Sequence, residues 1–270
     1  MNKLAKKLAF KIYSFLFAIF CLVAAFTLPV SAQNFSGEIT DIKGTVQVST
    51  STENSWVNAI EGIPVLPNYR IKTDLKSSCI INLDDGSLIF IDENTSASID
   101  ILEITGDHHN SRFSLMMGKI LANIEKSKNT KMEIKTPNSI AAVRGTEFAV
   151  EVNTVTTNVG VFDGKVAVVN PEVSPEEVLL NPDEETTVEK GAKPRKPEKL
   201  KEVMLRNKER MSSIREKVKA LKEKLKRVPP EERTKMRKDA FERFNNIKKE
   251  RNDLKEKIKD RNKQLLKRKI

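Results

Sequence analysis

A mainly β fold followed by two α-helices is what this chain of 270 residues predicts, and three observations carry the prediction. Runs rich in β-branched and aromatic residues recur roughly every ten residues between Ile39 and Glu189, with no helical period between them. Asp85-Gly86 and Asp163-Gly164 each separate two such runs, and Asp-Gly between strands is the strongest short hairpin signal. After Lys190 the pattern changes to apolar residues three and four apart among Lys and Glu, which is helical spacing.

The first 32 residues stand apart from the fold. Lys3, Lys6, Lys7 and Lys11 form a basic start, Ile12 to Leu28 is almost wholly apolar, and Val30-Ser31-Ala32 offers small residues before Gln33. That order is a secretory signal peptide, so export to the periplasm or cell envelope with cleavage after Ala32 is expected. The rival reading is an uncleaved anchor, because the apolar run is only slightly shorter than the roughly 20 residues a spanning helix needs. Cys21 falls inside this segment, and Phe20 stands before it where a lipoprotein signal wants a small residue, so lipidation is not expected. Cys79 is then the one cysteine of the mature chain, which leaves no internal disulfide and makes apolar burial the source of stability. Within the strand-like run Ser77 to Leu83 it reads as a buried, inert thiol.

Residues 35–189 read as one all-β domain. Around the Asp-Gly turns, residues 79–83 pair with 88–91 and residues 157–162 with 165–169; other β-rich runs are 39–48, 96–104, 113–124, 131–136, 147–156 and 186–189. The stretch from Thr136-Pro137 to Val150 reads as two short strands punctuated by Arg144-Gly145-Thr146, its glycine marking a position that wants positive φ or close approach. A sandwich, a roll or a short solenoid fits this pattern, and βαβ units do not.

A formal charge of +11 hides a division. Residues 33–190 carry 13 Lys and Arg against 24 Asp and Glu, whereas residues 191–270 carry 31 against 13. The two segments meet at residues 190–197, where Gly191, Pro194 and Pro197 stop both strand and helix and mark a linker.

In residues 198–270 the seam Met204, Met211, Ile214, Val218, Leu221, Leu225 and Val228 lies on one helical face. Pro229-Pro230-Glu231-Glu232 breaks that helix and starts another, with Pro230 and the two glutamates suited to a first turn. The second seam is Ala240, Phe244, Ile247, Leu254, Ile258 and Leu265, interrupted by Arg251 and Arg261. A helical hairpin or a coiled coil is expected, and since two helices alone bury little apolar area, oligomerisation or docking onto the β-domain would complete it. The tail's positive charge reads as a solvated face or as a surface for an anionic partner: the β-domain itself, a neighbouring protein, an envelope polymer or the membrane surface. Without an aromatic platform in the tail, nucleic acid is not expected.

Several motifs in order resemble a known family. Gly44-Thr45-Val46, Ile71-Lys72-Thr73-Asp74, Leu83 to Ile89 with Asp85-Gly86, Met117-Gly118-Lys119-Ile120, Thr136-Pro137, Val143 to Phe148 with Arg144-Gly145-Thr146, and Asp163-Gly164-Lys165-Val166 are similar to the successive motifs of FecR-type domains. The resemblance implies a FecR-like β-domain outside the cytoplasm. The family's best-known members receive a signal there from a partner and control a sigma factor through a cytoplasmic N-terminal region. About eleven residues precede the apolar run here, too few for such a region, so the regulator role is not carried over.

No catalytic, cofactor or metal residue is expected. His108 and His109 are the chain's two histidines, and they read as part of a solvent-exposed Gly106 to Ser111 turn. Asp84 and Asp85 belong to a hairpin turn, Arg144 to a structural ion pair or backbone contact, and Trp56 to core or rim packing. The motif residues Asp85, Gly86, Gly118, Thr136, Pro137, Arg144, Gly145, Thr146, Asp163 and Gly164 read as structural. Together these features predict an exported, non-enzymatic binding or scaffolding module of the cell envelope whose helices can self-associate; the alternative is a periplasmic sensor component of signal transduction acting through a separate membrane partner. Removing residues 198–270 should, on this reading, leave a folded β-domain.

Overall fold

A computed structural model describes residues 35–50, 55–106, 108–126 and 129–267. The signal-peptide reading of residues 1–32 lies outside them. Sixteen strands, β1 to β16, precede two helices, α1 (Glu202–Lys226) and α2 (Pro230–Lys267), among the described residues. No helix there is long and apolar enough to cross a membrane.

The strands form two layers that share one long strand, β8 (His108–Asn123). Sheet one runs β1 (Gly37–Lys43), β5 (Ser78–Leu83), β6 (Leu88–Ile91), the second half of β8, β11 (Glu147–Val152), β12 (Thr156–Asp163), β15 (Glu184–Glu189) and β16 (Glu198–Lys199). Sheet two runs β3 (Val57–Asn58), β2 (Val46–Thr50), β4 (Tyr69–Thr73), β7 (Ser96–Thr105), the first half of β8, β9 (Thr130–Lys135), β10 (Ile140–Val143), β13 (Val166–Asn170) and β14 (Ser174–Leu180). Every pairing is antiparallel except β8 with β9, and the sheet does not close.

Gly118 is where β8 changes sheets. Met117 still pairs with Ser96 in sheet two, while Gly118 pairs with Val152 in sheet one. Its φ of +96° belongs to the region glycine favours, and a β-carbon there would stand 2.5 Å from the Thr95 Cα. Thr95 secures the corner by accepting the Lys119 N–H at 3.0 Å. Strands that pass between packed sheets turn at such points.

The core lies between the layers and follows the two-residue alternation of the strands. Ile81, Ile89, Ile91, Ile120, Phe148, Val150, Val159 and Val161 from sheet one meet Val48, Ile71, Ile99, Phe113, Leu115, Ile134 and Val168 from sheet two, all fully or almost fully buried. Each such side chain contributes about 1.5–3 kcal/mol of transfer free energy. Cys79 belongs to this core, and burial, with a smaller push from the nearby Glu61, raises its thiol to about 12. It is inert in that form.

Some boundaries differ from the sequence reading. The run 39–48 divides at Gly44 into β1 and β2, which enter different sheets, and the expected hairpin of 157–162 with 165–169 does not form: β12 pairs with β11 and β15 in sheet one and β13 with β10 and β14 in sheet two, so Asp163-Gly164 is a corner between the layers. β14 has no counterpart among the β-rich runs: its Ser174-Pro175-Glu176-Glu177 is polar because it is an exposed edge, where an apolar pattern is not needed. Residues 190–197 lack strand or helix but are tied down, with Arg195 N–H donating to the Thr187 carbonyl at 3.0 Å and the Thr186 hydroxyl to the Arg195 carbonyl at 2.7 Å. The helices follow the Pro-Pro break, α2 opening at Pro230. The α1 seam and the first part of the α2 seam, Ala240 and Phe244, face the β-domain.

Candidate functional site

The middle of sheet one is apolar on both faces. In β6 all four residues, Leu88-Ile89-Phe90-Ile91, are buried: Ile89 and Ile91 point to the core, Leu88 and Phe90 away from it. Ile80, Leu121, Ala149 and Phe162 extend the outer apolar face. A strand apolar on both sides needs a cover on both sides. The α1 seam supplies it, with Met204, Met211, Ile214 and Val218 buried on that face together with Leu200. Side chains at positions 221 and 225, also assigned to the seam, lie outside the described set.

Charge surrounds the apolar contact. Arg210 donates to Asp92 at 2.6 Å and lies 4.7 Å from the centre of the Phe90 ring; the Asp92 side chain is only 5% exposed and also faces Lys119 at 3.6 Å. Arg215 pairs with Glu147 at 3.0 Å and Lys208 with Asp183 at 2.5 Å. Burial pushes the Glu147 carboxyl above the usual carboxylate range, and Arg215 draws it back. At the start of α1 the Glu185 carboxylate accepts the Lys201 N–H at 2.8 Å, where a negative group suits a helix N-terminus. The basic tail therefore docks in cis on the acidic domain.

The second helix packs elsewhere. Ala240 and Phe244 enter the inter-sheet core, Phe241 stacks at a tilt on Phe35 with centroids 5.5 Å apart, and Lys255 donates to the Ser55 hydroxyl at 3.4 Å. Arg237 bridges to β1 and the β5–β6 turn, donating to Glu38 at 2.8 Å and to both Asp84 oxygens at 3.0 and 2.7 Å. Burial works against this guanidinium, but its bonds to Asp84 and Glu38 hold its pKa above the ordinary value. Farther along, Ile247, Leu254 and Ile258 are 41%, 58% and 52% exposed, a stripe with seven- and four-residue spacing.

A cleft of about 830 Å³ lies between α1, α2 and the β1–β5 edge of sheet one, within the size range of small-molecule sites. Ile80, Asn82 and Leu83 of β5 lie at its base, with Val218 and Ala220 on one flank and Met236 and Ala240 on the other. The Asn82 Nδ2 donates to the Thr40 hydroxyl at 2.6 Å, while its Oδ1 is buried and has no hydrogen-bond partner among the described residues. An unmet buried acceptor costs about 1–3 kcal/mol.

The motif residues gather at turns. Thr136 Oγ1 accepts the N–H groups of Asn138 and Ser139 at 3.3 and 2.9 Å and meets Thr157 Oγ1 at 3.0 Å, so Thr136-Pro137 shapes the β9–β10 turn. The Arg144-Gly145-Thr146 turn packs against the Asp163-Gly164 turn: the Thr146 hydroxyl points at the Arg144 and Lys165 carbonyls at 3.1 and 3.0 Å, and Lys126 pairs with Asp163 at 2.8 Å. The Arg144 side chain is exposed and forms no ion pair among the described residues. Asp85-Gly86 makes its turn through the Asp85 carboxylate accepting the Ser87 N–H at 2.8 Å.

His109 departs from the exposed turn assigned to it. It lies within β8, its side chain 15% exposed, with Nδ1 3.3 Å from both Asp85 Oδ2 and Thr130 Oγ1 and Nε2 2.9 Å from the Gly106 carbonyl. Thr130 stands beside it because β9 pairs with β8 in the register His109 with Thr130, and Asp85 approaches from the β5–β6 turn, a tertiary effect. His108 is exposed. No group of three or more His, Cys, Asp or Glu that could hold a metal occurs among the described residues. Trp56 lies beneath two cations, Arg70 at 5.2 Å and Lys72 at 4.2 Å from its ring centre, so its face is already used.

Two crystal structures of a candidate anti-sigma factor from Parabacteroides distasonis, at 1.65 and 2.50 Å resolution, are similar to this chain, each with 20% identity and a TM-score of 0.41. The alignments cover 48% of this chain, which spans 59% of those solved chains. No curated protein matches. The family model described as FecR protein matches residues 69–167, from β4 through β13, and contains the Gly118 corner and the turns formed by Asp85-Gly86, Thr136-Pro137, Arg144-Gly145-Thr146 and Asp163-Gly164. Residues 69–167 are a FecR-family domain.

Proposed function

We propose that the chain is an exported, non-enzymatic binding module of the cell envelope, in which the FecR-family β-domain engages a protein partner and the helical tail presents a second contact surface. The observation that carries this reading is the unequal use of the tail. α1 and the first part of α2 are consumed by docking on the β-domain, whereas residues 253–264 are exposed on every side and carry the stripe of Leu254 and Ile258. An apolar stripe on a charged helix is a surface for another helix. Deleting residues 248–270 from the full chain should lower the mass measured by light scattering or release the protein from the envelope fraction. Unchanged mass together with unchanged fractionation removes the proposed role.

The FecR-family match supports a second reading, a signalling-related regulatory role as a periplasmic sensor component working through a separate membrane partner. Cross-linking in cells separates the two: recovery of a receptor or regulator favours the sensor, and repeated recovery of neither counts against it.

A further inference from the structure

The exposed part of α2 separates its charges by face. At the roughly 100° per residue of an α-helix, the stripe of Ile247, Leu254 and Ile258 also takes in Arg251 and Arg261, which occupy seam positions between and beyond the apolar side chains. Lys255 and Lys257 stand beside the seam, and between residues 250 and 264 Glu250 is the one acid next to it. Asp253, Glu256 and Asp260 fall away from the seam, together with Lys259 and Lys263, and there Lys259 lies 3.7 Å from Glu256. The seam side of this segment thus carries four cations against one acid, and the outer side two against three. Arg251, Lys257 and Arg261 are exposed and have no ion-pair partner among the described residues.

We propose that this face receives an acidic amphipathic helix of another protein, whose apolar seam covers Leu254 and Ile258 and whose carboxylates meet Arg251 and Arg261. The assignment rests on α2 being a contact surface and names its partner. A second copy of the helix does not fit. Paired in parallel, two copies set Arg251 against Arg251 and Arg261 against Arg261; paired antiparallel with Leu254 opposite Ile258, they set Arg251 against Arg261. Sliding the register places the arginines on Leu or Ile, and no seam position holds an acid to meet them. A membrane surface wants a broad apolar face, and Arg251 and Arg261 interrupt this one. Acids spaced as the two arginines are, ten residues or about 15 Å along the axis, would neutralise both and admit the apolar side chains between them.

The test is titration of two designed helical peptides of about 21 residues into the full chain, followed by calorimetry. Both have leucine at the seam; one carries Glu opposite Arg251 and Arg261 and along its flanks, the other Lys at the same places. The expected result is one-to-one binding of the acidic peptide, weakened about tenfold or more by the pair Arg251→Glu and Arg261→Glu, and weakened by added salt. That charge-reversed chain should instead bind the lysine peptide, and Leu254→Ser should weaken either pairing; circular dichroism checks that each variant is folded. Equal binding of the two peptides, indifference to the charge reversal, a dimer that disappears on deleting residues 248–270, or binding to phosphatidylglycerol vesicles in place of the acidic peptide would each overturn it. If the deletion changes neither mass nor envelope fractionation, the contact role of α2 is itself lost; if the deletion releases the protein while the two peptides bind alike, only the acidic partner is.

Discussion

Gly160 of β12 lies directly beneath Met204 of α1: a β-carbon on the glycine would stand 2.9 Å from the methionine sulfur and 3.2 Å from a Leu200 methyl carbon. The glycine is therefore what lets the helix approach the outer face of sheet one. Gly160→Val should destabilise the chain by about 1–3 kcal/mol, through overpacking at a close contact. Chemical denaturation checks this, and Met204→Ala in the same chain should return part of the loss, because the two changes share one contact.

At the corner of β8 the expected effect is larger relative to the volume added. Gly118→Ala places a methyl against Thr95 in a backbone region that L-residues avoid, at a cost of at least about 2 kcal/mol. Thermal unfolding of the purified variant measures it.

Arg237 neutralises two acids at once. Arg237→Ala leaves Glu38, whose side chain is 13% exposed, without its partner and should cost about 1–3 kcal/mol, a value set below that of a fully buried pair because Asp84 remains 36% exposed. Added salt should narrow the difference between variant and parent, which denaturation at two ionic strengths would reveal.

Acid stability has an identifiable contributor in sheet two. Burial would raise the Glu133 carboxyl, but hydrogen bonds from Lys131 and Arg112 outweigh it and hold the group below the usual range. A carboxylate with a depressed folded pKa stabilises the fold above its unfolded pKa of about 4.3, and the contribution disappears as pH falls through the lower folded value. Glu133→Gln should therefore lower stability at pH 7 and flatten its decline in acid, as read from melting temperatures between pH 7 and pH 3.

What can be read from the sequence is whatever local chemistry decides. The Asp85-Gly86 hairpin, the Pro230 helix start and the positive φ of Gly145 follow from backbone preferences of a few residues, whereas at Asp163-Gly164 the same dipeptide turns the chain from one sheet into the other. The α1 seam is equally legible, but a seam does not name its partner. Four consecutive apolar residues in Leu88 to Ile91 hint that β6 is covered on both faces, and only the fold shows that α1 is the cover. The cleft has no local signature, because its walls come from β1, β5, α1 and α2, which are far apart in the chain. The contact between His109 and Asp85 likewise joins a strand and a turn 24 residues apart through the path of the intervening strands.

In this structure α1 is a layer of the β-domain and not an appendage. Composition and the proline-rich linker suggest that the domain stays folded without residues 198–270; with Phe90 and Phe162 under α1 and Phe244 inside the core, a different outcome is expected. Thermal unfolding of a chain ending at Lys199, with a fluorescent dye for exposed apolar surface, is the direct measurement. A marked fall in melting temperature with strong dye binding agrees with the docked layer, and an unchanged melting temperature without dye binding contradicts it.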